Sequence, residues 1–168
     1  MKLNALTIAA REAVTGVINK KPYDSKDLEK GFPEKKAVFV SYSYNGEQRG
    51  SVGFAAPVHG LGRSVVMLAK SAAFEDPRFP ALKKEILPKV KFKVDILEKL
   101  AETKTIKPGQ GCIVKFGPYE GVLLPSETKI MKTGEILENC CQKAGIAPET
   151  LTDPLCKTYS FTTKEILE

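Results

Sequence analysis

An α+β fold built on antiparallel hairpins is what this sequence predicts, from three observations. Apolar residues recur with helical spacing near the N-terminus and in two later stretches. Two regions of period-two alternation are each interrupted by a short glycine-containing turn, which is a hairpin signature. Helices and hairpins follow one another without the regular strand–helix–strand alternation of a parallel sheet. The length of 168 residues suits one domain, with room for a minor lobe.

In chain order, an amphipathic helix is expected from about Leu3 to Lys20, stopped by Lys21-Pro22, with Asp24 to Pro33 as a charged connector. Ala37 to Tyr44 and Gln48 to Phe54 form the first hairpin. Val38, Val40 and Tyr42 share a face with Gly50, Val52 and Phe54 only if the loop holds three residues, Asn45-Gly46-Glu47. Ser51 then lies across from Ser41. A Pro/Gly connector, Ala55 to Gly60, leads to a helix from Leu61 to Glu75, which ends at Asp76-Pro77-Arg78-Phe79-Pro80. A short helix is expected over Ala81 to Leu87, then a half-exposed strand over Val90 to Ile96. Cys112 to Phe116 and Gly121 to Leu124 make the second hairpin. Thr133 can cap a helix that Gly145 ends, and a last strand spans Lys157 to Phe161 before the tail.

Composition removes several classes of function. The apolar fraction of 42 % and the charged fraction of 27 % are ordinary for a soluble globular chain. No run approaches the roughly 18 apolar residues of a membrane span, so no membrane partner is expected. The first helix carries Arg11 and Glu12 and does not resemble a secretory signal, so a cytoplasmic location is expected. The net charge is +6, and lysine supplies 22 of the 26 basic residues. Such a surface permits nucleic-acid binding, although no basic run interleaved with aromatics supports it. Cys112, Cys140, Cys141 and Cys156 form no C-x-x-C pair and read as reduced thiols, some of them packed in the core. With a single histidine, no structural zinc site is expected. Gly109-Gln-Gly111 lacks the spacing of a phosphate loop, and no cofactor is expected.

The most unusual stretch is Gln48-Arg-Gly-Ser-Val-Gly-Phe54. Strand glycines mark a bulge or the close approach of another backbone or a ligand. Strict alternation puts Arg49, Ser51 and Gly53 on one face, where a cation and a hydroxyl beside bare backbone form a wall for an anion or carbonyl. Gly50 and Gly53 would make the room. The structural alternative is that the glycines admit a crossing helix and Arg49 pairs with a surface acid. In the second stretch, Asp76 sits at a helix C-terminus against the dipole and needs a partner, for which Arg78 is the local choice. That pair reads either as a stapled turn with Phe79 packed inward or as part of a catalytic site. His59 lies eight residues past Ser51 and could activate a hydroxyl, but no third member of a triad is identifiable.

Taken together, "VFVSYSYNGEQRGSVGFAAPV", "AKSAAFEDPRFPAL" with "VDIL", "GVLLP" and "CQKAGI" resemble, in order, motifs of the AMMECR-one domain family. The resemblance runs from about Leu6 to Phe161. It implies an antiparallel sheet with flanking helices, a larger lobe and a smaller second lobe. It also implies association with a Memo-type, dioxygenase-like protein or a radical-SAM protein, and an enzymatic role on a small molecule or nucleic-acid base. The family's candidate nucleophile is the cysteine of its LRGCIG motif, and Ser51 stands in that place here. A serine needs an activating base where a thiol does not. Three readings therefore stand: an enzyme whose site gathers Arg49, Ser51, Asp76, Arg78 and His59; a non-catalytic binding or adaptor module for nucleic acid or protein; or a degenerate member that keeps the fold and has lost the reaction with the cysteine.

Overall fold

The computed structural model describes residues 1–168. Its helices are α1 (Ala5–Ile18), α2 (Lys26–Gly31), α3 (Leu61–Phe74), α4 (Pro125–Thr128) and α5 (Thr133–Ala144). Its strands are β1 (Val38–Tyr44), β2 (Glu47–Phe54), β3 (Val90–Glu102), β4 (Gly111–Phe116), β5 (Tyr119–Leu123) and β6 (Lys157–Leu167). The strand order is β2-β1-β3-β6-β4-β5, with the hairpins antiparallel, so the α+β class holds. The chain forms two compact units: Met1–Ile96 with Glu165–Glu168, and Leu97–Lys164.

In the first unit, period-two alternation turns Val38, Val40 and Tyr42 of β1 and Phe92 and Val94 of β3 to one side. There they pack with Leu6, Ala10 and Val14 of α1 and Val65, Leu68 and Ala69 of α3. The alanines of α3 let the helix lie close to the sheet. Arg11 of α1 donates to the Glu168 carboxylate and to the carbonyls of Leu87 and Val90. In the second unit, Cys112 and Val114 of β4 and Leu123 of β5 meet Ile136, Cys140 and Cys141 of α5. All four cysteines are free and buried.

Several expectations need correcting. The connector after Pro22 contains α2, whose Leu28 is buried. Residues Ala81 to Leu87 are not a helix: Pro88 disfavours the α conformation in the residue before it, and only a 3₁₀ turn forms at Leu87–Lys89. β3 and β6 run well past their expected ends, through polar residues that alternation alone does not mark. The cap of α5 is Lys132 rather than Thr133, and its amide donates to Glu135 at 3.3 Å. Gly145 ends that helix in the left-handed region, φ 74°, as expected.

The first hairpin differs most usefully. Tyr44 pairs with Glu47, so the loop is only Asn45-Gly46, with φ of 52° and 80°. Positive φ at both positions matches the turn whose twist suits a two-residue hairpin. Beyond a bulge, however, Tyr42 pairs with Gly50, Val40 with Val52 and Val38 with Phe54. The apolar faces thus align as the sequence requires. The extra residue is taken up within the strand, at Arg49, and not in the loop.

Candidate functional site

The bulge decides where Arg49 goes. Arg49 opposes nothing, since Ser43 pairs with Gln48 and Tyr42 with Gly50. A bulge breaks alternation and redirects a side chain. Arg49 therefore leaves Ser51's face, where alternation placed it, and lines a cavity with Tyr42 and Tyr44 of β1. The other walls are Pro80, Ala81, Lys83 and Ile86, and the volume is about 220 Å³. One edge of the guanidinium reaches Glu47 at 2.8 Å, a solvent-exposed pair of small energetic weight. Its Nε is shielded from water and has no hydrogen-bond partner. Burial pushes the Tyr42 hydroxyl's pKa up and nearby Asp76 adds to that, while Arg49 pulls it down.

Ser51 keeps the place expected across from Ser41. Its amide donates to Asp76 Oδ2 at 2.9 Å, and its carbonyl accepts from Arg78 Nη2 at 3.0 Å. Because β2 ends the strand order, these are groups that a further strand would otherwise satisfy. The Asp76–Arg78 turn supplies both partners, closing the edge with side chains. Asp76 Oδ1 also accepts from the Arg78 amide at 3.2 Å and from Arg78 Nε at 3.0 Å, and Oδ2 accepts from Nη2 at 2.8 Å. Burial alone would raise the Asp76 pKa. The hydrogen bonds from Arg78 and Ser51 outweigh it and hold the carboxyl below its ordinary value. Phe79 stacks against the Arg78 guanidinium, 5.3 Å from ring centre to carbon, and is only partly buried. The stapled turn is present, without the inward phenylalanine.

The glycines answer to packing. A Cβ on Gly50 would lie 2.1 Å from the Ala72 carbonyl oxygen of α3 and 2.5 Å from the Tyr42 ring. A Cβ on Gly53 would lie 2.2 Å from the ring of Phe39, its cross-strand partner. His59 turns its ring edge-on to Phe54, with centroids 5.9 Å apart. Phe54 packs on the helix side of β2, the face opposite Ser51. The structure thus joins Ser51, Asp76 and Arg78, and sends Arg49 and His59 elsewhere.

Sequence reasoning missed two sets of residues. Tyr42, Tyr44, Lys83 and Ile86 of the Arg49 cavity carry no motif; the bulge that gathers them was visible only as one residue too many for the turn. On Ser51's side of the sheet, Lys93 follows Ser41 in the next strand, and its ammonium lies 3.0 Å from Asp95 and 3.7 Å from Glu165. Asp95 lies in the strand expected to be half-exposed, yet it is wholly buried.

These features define an α+β domain in which an Asp-Pro-Arg turn closes the edge of a bulged, glycine-bracketed hairpin. The AMMECR1 family model matches residues 7–166. This chain is 33 % identical to a protein of Methanocella arvoryzae, over 90 % of its own length and 83 % of the relative's. It is 34 % identical to Protein NEQ441 of Nanoarchaeum equitans, over 90 % and 92 %. The crystal structure of uncharacterized protein PH0010 from Pyrococcus horikoshii superimposes with a TM-score of 0.88 at 30 % identity, covering 98 % of this chain and 90 % of that one. The chain belongs to the AMMECR1 family.

Proposed function

We propose that this chain is a small-molecule-binding domain whose site is the Arg49 cavity and whose ligand is a small planar anion of the aromatic carboxylate class. The bulge carries the proposal, because it takes the one arginine of β2 out of register and into the lining of a cavity shared with two tyrosines and Pro80. A guanidinium binds carboxylate through paired donors and also stacks on flat rings. The tyrosine walls offer flat apolar area, and Lys83 adds a second positive charge at the same cavity. A volume of about 220 Å³ is below the roughly 300 Å³ where drug-sized pockets begin, which fits a single ring.

Catalysis by Ser51 has less support. Ser51 is not among the residues lining this cavity, and Asp76, the carboxylate bonded to its amide, is committed to that amide and to Arg78. The reading is tested by NMR titration of the ¹⁵N-labelled protein with benzoate and with benzamide. Benzoate should shift the amides of Tyr42, Tyr44, Arg49 and Ala81, and benzamide should bind at least about tenfold more weakly, a difference of ~1.4 kcal/mol. Equal binding of the two, or shifts confined to other residues, would refute it.

A further inference from the structure

A second cavity, of about 320 Å³, lies among α1, α3 and the segment that follows α1. Ala13, Gly16, Val17, Pro22 and Val66 give it apolar walls, and its charged lining consists of Lys20 and Lys70 with no carboxylate. That volume is at the lower end of the range for ligand pockets, about 300–1,000 Å³. Tyr23 also lines it; burial raises the pKa of its hydroxyl, and Glu12, Asp24 and Asp27 raise it further, so the group stays protonated as a donor.

The backbone at Lys20 gives an independent observation. α1 ends with Lys21 N–H on the Gly16 carbonyl at 2.8 Å and Lys20 N–H on the Val17 carbonyl at 3.2 Å. α5 ends in the same way, with Ile146 N–H on Cys141 at 3.1 Å and Gly145 N–H on Gln142 at 3.1 Å. This cap requires a left-handed residue, and glycine is the usual choice. α5 uses Gly145, whereas α1 uses Lys20 at φ 53°. The chain thus accepts backbone strain at the one cap that borders this cavity. Strain of this kind clusters at functional sites, and Lys99, at φ 50°, is the chain's other lysine that carries it.

We propose that the cavity between α1 and α3 binds a short aliphatic carboxylate, its chain against Val17 and Val66 and its carboxylate between Lys20 and Lys70. The mixed lining argues for this occupant: two ammonium groups suit one anionic head, and the apolar walls suit a tail of a few carbons. The site is separate from the Arg49 cavity and does not depend on it, sharing none of its residues.

Hexanoate, with hexanol as the neutral control, tests the proposal by NMR titration of the full chain. Hexanoate should shift the amides of Ala13, Gly16, Val17 and Val66, at least about fivefold more tightly than hexanol. Lys20→Gly should relieve the cap, raising Tm by roughly 2–4 °C, while weakening hexanoate about fivefold. Because that variant gains stability, its loss of affinity cannot be laid to unfolding. Lys70→Ala should weaken hexanoate similarly with little change in Tm. Unchanged hexanoate affinity in Lys20→Gly, or hexanol binding as tightly as hexanoate, would overturn the assignment.

Discussion

The two hairpins of this chain are built alike, and their difference is where the proposed site lies. In each, a glycine of the second strand lies beneath a helix. Gly50 of β2 faces the Ala72 carbonyl of α3, and Gly121 of β5 faces the Cys140 carbonyl of α5, where a Cβ would come to 2.1 and 2.2 Å. The β4–β5 hairpin is regular from Cys112–Leu123 to Phe116–Tyr119. Only β2 carries a bulged arginine, a cavity beside it and an Asp–Arg turn on its open edge. Since the second hairpin has the glycine without these features, the glycine is a packing device, and the bulge is what sets the first hairpin apart.

The largest effects should come from the shared feature. Gly50→Ala and Gly121→Ala should each cost about 3 kcal/mol, because the clash is with helix backbone that cannot give way. Urea midpoints check this, and a near-neutral Gly50→Ala would break the parallel. Asp76→Ala should cost ~2–3 kcal/mol, below the usual 3–5 for breaking a buried pair because Arg78 is about half exposed. Its counterpart in the second hairpin, the exposed Lys115–Glu120 pair, should be worth less than about 0.5 kcal/mol when Lys115→Ala removes it.

The acid limb sharpens the same contrast. The folded pKa of Asp76 is lowered from 3.8, so its stabilisation is complete above that value and is lost as the pH falls through the lowered one. Glu168 acts in the same sense. Burial pushes its pKa up, but hydrogen bonds from Arg11 and the Phe92 amide outweigh that and hold it below 4.5. Asp76→Asn should therefore flatten part of the stability loss below pH 4 in denaturation series. The smallest effect belongs to Ser51→Ala, within about 0.5 kcal/mol. Ser51→Cys should add one thiol that reacts quickly with a disulfide reagent. The native thiols are buried, and burial pushes Cys141 up to about 11. An introduced thiol as slow as the native four would contradict the partly exposed placement of residue 51.

Much of the fold was legible because burial leaves a period. The faces of β1 and β2, the helix at α3 and the glycine cap of α5 were all readable from apolar spacing and turn residues. The Asp76–Arg78 staple was readable too, since an acid at a helix C-terminus needs a cation. What escaped depends on a count of one. Placing the extra residue in the loop or in the strand aligns the same apolar faces, yet it moves Arg49 from one side of the sheet to the other. Asn-Gly favours the two-residue turn, and that preference held against simple alternation. Asp95 escaped for a different reason: alternation reports which residues face away from the helices, and it does not report what covers that side.

The most direct measurement compares benzoate affinity in the native chain, in Arg49→Lys and in Ser51→Ala by NMR titration. A site made by the bulge predicts about a tenfold loss in Arg49→Lys, where the paired donors are gone, and no change in Ser51→Ala. Loss in Ser51→Ala with Arg49→Lys unaffected would place the site on the serine face and contradict it.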